Sequence, residues 1–139
     1  TWGGLLAPHD YERYILPYVK ELINGLNRDG IPVIYFVKNG GTMLELVKEA
    51  GADVLGLDWH VNLGKARDII GPDVAVQGNL DPTVLYAPKD HIEREVQRIL
   101  DENAGRPGFI FNLGHGILPT VPPENAIHMV ECVHRLSGK

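Results

Sequence analysis

Four short apolar runs, rich in β-branched and aromatic residues, punctuate this chain, and a stretch of helical spacing or helix-capping residues follows each of them. Pro32-Val33-Ile34-Tyr35-Phe36-Val37 is continuous and apolar, the pattern of a strand covered on both faces. Val54-Leu55-Gly56-Leu57, Val74-Ala75-Val76-Gln77 and Phe109-Ile110-Phe111 repeat it at shorter length. The connections are too long for hairpins and long enough for crossovers, so the spacing predicts parallel strands near residues 33–37, 54–57, 74–77 and 109–112, adjacent in that order. A helix from about His9 to Leu26, kinked at Pro17, is expected ahead of them. Thr42-Met43-Leu44-Glu45 reads as a capping box opening a short helix that Gly51 ends. Asn62 is placed to cap a helix running to Ile70, stopped by Gly71-Pro72. A turn of helix follows Pro82, and Ile92, Val96, Ile99 and Leu100 mark a long helix from Lys89 to Glu102. Pro122-Pro123 opens the last helix, with Ile127, Val130 and Val133 read as its inward stripe.

Two α/β architectures accommodate a helix followed by four βα units: an open doubly wound sheet, or part of a (β/α)8 TIM barrel, which needs ~250 residues. Glycine-rich, polar strand ends favour the barrel, of which this chain would be about half, with two unpaired sheet edges. Composition sets the remaining bounds. The 139 residues, 44% hydrophobic and 22% charged, suit a single domain with a proper core and exclude whole-chain disorder. No apolar run approaches the ~20 residues of a membrane-spanning helix. One cysteine, Cys132, excludes a disulfide scaffold and any multi-cysteine zinc site, and it fits a reducing compartment. The residues after Thr1 lack the pattern of a signal peptide. A net charge of -5 without a Lys/Arg cluster argues against nucleic acid as a partner. A polyanionic ligand would have to be held by local positive charge or backbone N–H groups.

In parallel α/β folds ligands sit at the carboxyl ends of the strands. Those ends read Lys38-Asn39-Gly40-Gly41, Asp58-Trp59-His60, Gln77-Gly78-Asn79-Leu80-Asp81-Pro82 and Asn112-Leu113-Gly114-His115-Gly116. Together they describe a mouth of amide, carboxylate, imidazole and ammonium groups beside glycines, a site that does not by itself name a reaction. His115 is the sharpest position: its glycine neighbours let backbone approach a ligand, and its imidazole can bond or shuttle a proton near neutral pH. The alternative is a histidine hydrogen-bonded to its own loop. Asp58 is a candidate general base, whereas Asp81, before Pro82, reads first as a turn or N-cap residue. Trp59 reads as packing, and Gln77 and Asn79 as groups that satisfy loop backbone. Asp58, His60, Asp81 and His115 could ligate a metal from neighbouring strand ends, but no established ligand spacing is present. Gly78 and Gly114–Gly116 could cradle phosphate, yet no nucleotide motif occurs. His9, His91, His128 and His134 fall on helices as surface or end residues, and Cys132 reads as packing.

Four of these strings, in order and spacing, resemble the motifs of the uroporphyrinogen decarboxylase family: Thr1-Trp2-Gly3-Gly4, Gly56-Leu57-Asp58-Trp59, Gln77-Gly78-Asn79-Leu80-Asp81-Pro82 and Phe111-Asn112-Leu113-Gly114-His115-Gly116-Ile117. The resemblance covers the whole chain and is similar to the family's carboxyl-terminal part. It implies a (β/α)8 barrel with a deep cleft at its carboxyl face. It implies a lyase of haem biosynthesis that removes the four acetate carboxyl groups of uroporphyrinogen III to give coproporphyrinogen III. It implies no metal and no organic cofactor, because a pyrrole protonated at an α-carbon serves as the electron sink. It places His115 on the family's active-site histidine, which contacts a substrate carboxylate, and Thr1 on a hydroxyl position that also meets substrate. The family's pyrrole-binding aspartate, anion-binding arginines and active-site tyrosine belong to its amino-terminal half, so Asp58 and Asp81 do not take the aspartate's place. A cytoplasmic homodimer with a small-molecule porphyrinogen as its partner, and neither nucleic acid nor membrane, completes what the resemblance implies. The competing reading is a non-catalytic half-barrel that oligomerises or binds anions. The zinc-dependent methyltransferase branch of the same barrel would need cysteine at a strand end, and Cys132 lies in a helical stretch.

Overall fold

The computed structural model describes residues 2–138. The apolar runs form β1 (Ile34–Phe36), β2 (Val54–Gly56), β3 (Ala75–Leu80) and β4 (Phe109–Leu113). All neighbours are parallel and the order is β1-β2-β3-β4, as the crossover argument requires. The helices are α1 (Pro8–Tyr14), α2 (Leu16–Gly25), α3 (Leu44–Lys48), α4 (Leu63–Ile70), α5 (Lys89–Asn103) and α6 (Pro123–Leu136).

The register separates the two faces of the sheet. Tyr35, Leu55, Val76 and Phe109 are in register, and Leu55 and Val76 are fully buried in the main core beside Leu63, Ala66 and Ile70 of α4 and Ile99 of α5. The adjacent register row, Phe36, Gly56, Gln77 and Ile110, falls on the other face. There Ile34 and Ile110 remain 48% and 44% exposed. Two covered faces were expected from the continuous apolar runs. One is covered by this chain's helices, and the other is the concave face that a closed barrel would fill.

Local signals explain most element ends. The Asn62 side chain accepts a hydrogen bond from the Lys65 N–H at 3.0 Å, and Gly71 ends α4 with φ 84°. Ile92, Val96 and Ile99 are the buried stripe of α5, while Leu100 is half-buried at its margin. Buried Arg67 of α4 donates to Asn103 Oδ1 at 2.9 Å and to the Pro107 carbonyl at 2.6 Å, locking α4 to the connection that leads into β4.

Four expectations are corrected. Residues 9–26 do not form one kinked helix: the chain breaks at Ile15, and Pro17 sits in the first turn of α2, where its missing N–H leaves nothing unsatisfied. Thr42 caps no helix with its side chain, because it lies inside a 3-10 turn, Gly40–Met43, and α3 starts only at Leu44. Ile127 and Val130 point outward, 59% and 48% exposed. Val133 packs as expected, but its companions are Ala126, Met129, Cys132 and Leu136, which face Leu85, Ile92 and Val96. Finally, β3 and β4 run on to Leu80 and Leu113, because Asn79 pairs with Asn112 and Leu80 with Leu113.

Candidate functional site

The carboxyl ends of the four strands open onto a cleft of about 500 Å³ lined by Phe36, Gln77, Asn112, His115 and Ile117, among others. His115 is half-buried, and Phe36 meets its ring edge-on at 5.9 Å between centroids. Among the described residues no group hydrogen-bonds the imidazole, so the packing orients the ring and leaves its nitrogens to the cleft. The two flanking glycines have different reasons. A Cβ on Gly114 would lie 2.7 Å from the Trp59 nitrogen, and the Gly114 N–H donates to the Leu80 carbonyl at 2.7 Å. Gly114 therefore lets the loop after β2 press against the loop after β4. Nothing lies within 4 Å of a Cβ on Gly116, so that side of His115 is open. Gly78, with φ +142° and the Leu57 carbonyl oxygen where a Cβ would stand, is likewise a close backbone crossing and not a phosphate cradle.

Asp58 is 2% exposed and its carboxylate is fully engaged. It accepts the Asn39 N–H from the loop after β1 and, at 3.0 Å, the His60 N–H from its own loop, with His60 Nδ1 3.5 Å away. That carboxylate is a brace between two loops, so the general-base role considered for it has no geometry. Asp81 accepts from the Thr83 N–H and hydroxyl, each at 2.8 Å, and caps the 3-10 turn Pro82–Tyr86 as expected. Asn79 satisfies loop backbone, donating to the Asp58 and Val61 carbonyls at 3.1 and 2.7 Å, while its buried Oδ1 has no hydrogen-bond partner among the described residues. Gln77 lines the cleft.

Lys38 follows Phe36 by two positions at the mouth. Its ammonium sits 4.3 Å from the Trp2 ring centre and 5.9 Å from that of Trp59. No carboxylate among the described residues pairs with it, so its positive charge is held by aromatic faces and left available to an anion. Trp59, read from the sequence as packing, also lies against His60 at 4.7 Å. The clasp gathers residues from three separate connections, and no local pattern announces it. Asp58, His60, Asp81 and His115 are not drawn into one ligand set; among the described residues the three-membered cluster of possible metal ligands is Glu93, His128 and Cys132, on α5 and α6. Thr1 lies outside the described residues.

A model of the family described as "Uroporphyrinogen decarboxylase (URO-D)" matches residues 1–136. The chain belongs to the uroporphyrinogen decarboxylase family. It is 78% identical over all 139 residues to the uroporphyrinogen decarboxylases of Geobacter metallireducens and Geobacter sulfurreducens, covering 41% of each. The enzyme of that name from Pelobacter propionicus is 69% identical over 137 residues, with 99% of this chain and 40% of the relative covered. The chain thus spans about 41% of the length of the curated relatives it matches. Among solved structures, a methyltransferase from Methanosarcina mazei superposes with a TM-score of 0.81 over 94% of this chain and 38% of its own, at 20% identity. At that identity the likeness speaks to fold alone. The α/β architecture of this family is the (β/α)8 barrel, and the present chain supplies four of its parallel strands.

Proposed function

We propose that this chain forms part of the active site of an enzyme that decarboxylates uroporphyrinogen III to coproporphyrinogen III. The observation that carries the reading is the 78% identity, end to end, to curated relatives that bear that name. The cleft is consistent with it: the His115 imidazole, which no group among the described residues hydrogen-bonds, lines a space of about 500 Å³ whose floor is aromatic and aliphatic, and the Lys38 ammonium, held against Trp2 and Trp59, adds positive charge at the same end of the strands. A porphyrinogen offers apolar pyrroles to such a floor and carboxylates to such a rim.

In the proposed reaction, a proton adds to an α-carbon of one pyrrole. The bond between the acetate methylene and its carboxyl breaks, its electron pair flows into the cationic ring, CO2 leaves, and the methylene takes up a proton to become a methyl group. The α-proton is then lost. This cycle runs four times per substrate and needs no metal or organic cofactor. His115 would donate a hydrogen bond to a substrate carboxylate, an interaction worth about 1.5–3 kcal/mol. Thr1 would meet substrate through its hydroxyl. The acid chemistry falls to residues that this chain does not contain. Assembly as a homodimer and a cytoplasmic location belong to the same proposal and rest on the family. No helix among the described residues is long and apolar enough to cross a membrane.

The test is anaerobic incubation of the protein at its full natural length with uroporphyrinogen III, followed by chromatography of the oxidised products. The proposal expects hepta-, hexa- and pentacarboxylate intermediates and then coproporphyrin, at a rate unchanged by a chelator. A folded protein that leaves the substrate intact, or one that needs added zinc, would overturn it.

A further inference from the structure

The helical layer carries a second constellation, away from the strand ends. His128 and Cys132 are one turn apart on α6, and the Cys132 sulfur lies 3.4 Å from His128 Nε2. Glu93 reaches the same place from α5, and the three candidate ligand atoms all fall within 4.8 Å of one another. Cys132 is 1% exposed, while Glu93 and His128 are half-buried, so the sulfur is the floor of the group and the other two its rim. Two ligands bound to one tetrahedral zinc-like ion, at ~2.3 Å for sulfur and ~2.0–2.1 Å for nitrogen, stand roughly 3.5 Å apart. The His128–Cys132 pair already has that separation.

A cation occupies this spot now. The Arg135 guanidinium is 3.0 Å from the Glu93 carboxylate and 3.6 Å from the Cys132 sulfur. It comes from the exposed end of α6 and is itself more than half exposed, so it can leave without unpacking the core. His128 Nε2 also lies 3.3 Å from the Lys89 carbonyl, and its use as a ligand shifts the ring proton to Nδ1.

We infer that Glu93, His128 and Cys132 form a three-ligand site for a borderline-soft divalent metal ion of the zinc class, with Arg135 as the cation that closes the site when the metal is absent. The mixed carboxylate, imidazole and thiolate set selects such an ion over magnesium or calcium, which take oxygen ligands. Binding would join α5 to α6 through the metal and release the thiol proton and the guanidinium. Three protein ligands leave a fourth position for water. The site is independent of the decarboxylase reading, because it uses none of the cleft residues.

The test is titration of the full natural-length protein with Co2+ under reducing conditions, followed in the near ultraviolet for thiolate-to-metal charge transfer and in the visible for tetrahedral d–d bands, then displacement by Zn2+. One ion per chain is expected, with the charge-transfer band absent in Cys132→Ser. Glu93→Gln and His128→Ala should weaken binding at least tenfold, and Arg135→Ala should tighten it roughly fivefold by removing a competing charge. Glu93→Gln is the variant at a half-buried position that keeps the test decisive should Cys132→Ser disturb folding. No charge-transfer band in the wild type, or a band that survives Cys132→Ser, would overturn the site. Weaker binding in Arg135→Ala would overturn the role given to Arg135.

Discussion

Replacing Asp58 separates a structural carboxylate from a catalytic one. Its two oxygens hold the Asn39 and His60 N–H groups, and the residue is 2% exposed. Asp58→Ala strands both donors at partly buried positions. A buried donor without a partner costs about 1–3 kcal/mol, and water reaches the exposed His60 side, so the loss should be about 2–4 kcal/mol. Asp58→Asn keeps one acceptor oxygen but turns an NH2 toward the other N–H, so about half of that loss should remain. Urea unfolding at pH 7 measures both, with an unchanged slope as the sign that the fold is the same. Turnover should fall in proportion to the displacement of the two loops and recover partly in Asp58→Asn. A stable Asp58→Asn protein without detectable turnover would refute the brace and return Asp58 to the chemistry.

Three further outcomes follow from other parts of the molecule. The Val33 N–H, with Arg28 beside it, holds the Asp53 carboxyl below the usual carboxylate range; a depressed native value gives stability that is present above the unfolded value of ~3.9 and is lost as the pH falls through the native one, so thermal melts from pH 7 to pH 2 should show an acid loss that shrinks in Asp53→Asn. Lys38→Met should raise KM for the porphyrinogen roughly five- to thirtyfold with kcat nearly unchanged, because an aromatic-held ammonium contributes to binding and not to proton transfer; an equal fall in kcat at constant KM would contradict that role. The 139-residue chain made alone should self-associate, since β1 and β4 are open edges and Ile34 and Ile110 stand exposed on the concave face; a monomer by light scattering at micromolar concentration would contradict this.

The strand order was legible because each run is apolar, short and bounded by glycine or proline, and parallel crossovers allow few alternatives. The last residues of β3 were not. Gln77-Gly78-Asn79 is polar because it stands at the site end of the strand, and polarity there looks like loop. On α6 the sequence offers more than one apolar stripe; of the residues read as core, Val133 packs while Ile127 and Val130 are exposed, since only contact with α5 decides which positions turn inward. His115 could be found from its glycines and its place after a strand. The Trp2–Lys38–Trp59 clasp could not, because three connections have to meet before it exists. His128 and Cys132 read from the sequence as a surface residue and a packing residue; one helical turn brings them together, and Glu93 joins them only through helix packing.

The account turns on His115, and its steady-state kinetics in the full-length protein test it most directly. If the unbonded imidazole beside Phe36 holds a substrate carboxylate, His115→Ala and His115→Asn should keep wild-type thermal stability and lose roughly ten- to a hundredfold in kcat/KM, the value of one hydrogen bond to a charged group. Wild-type kinetics in His115→Ala would remove the residue from the site. Complete loss of turnover in a stably folded variant would make it an essential proton donor instead, and the division of labour proposed for the cleft would be contradicted.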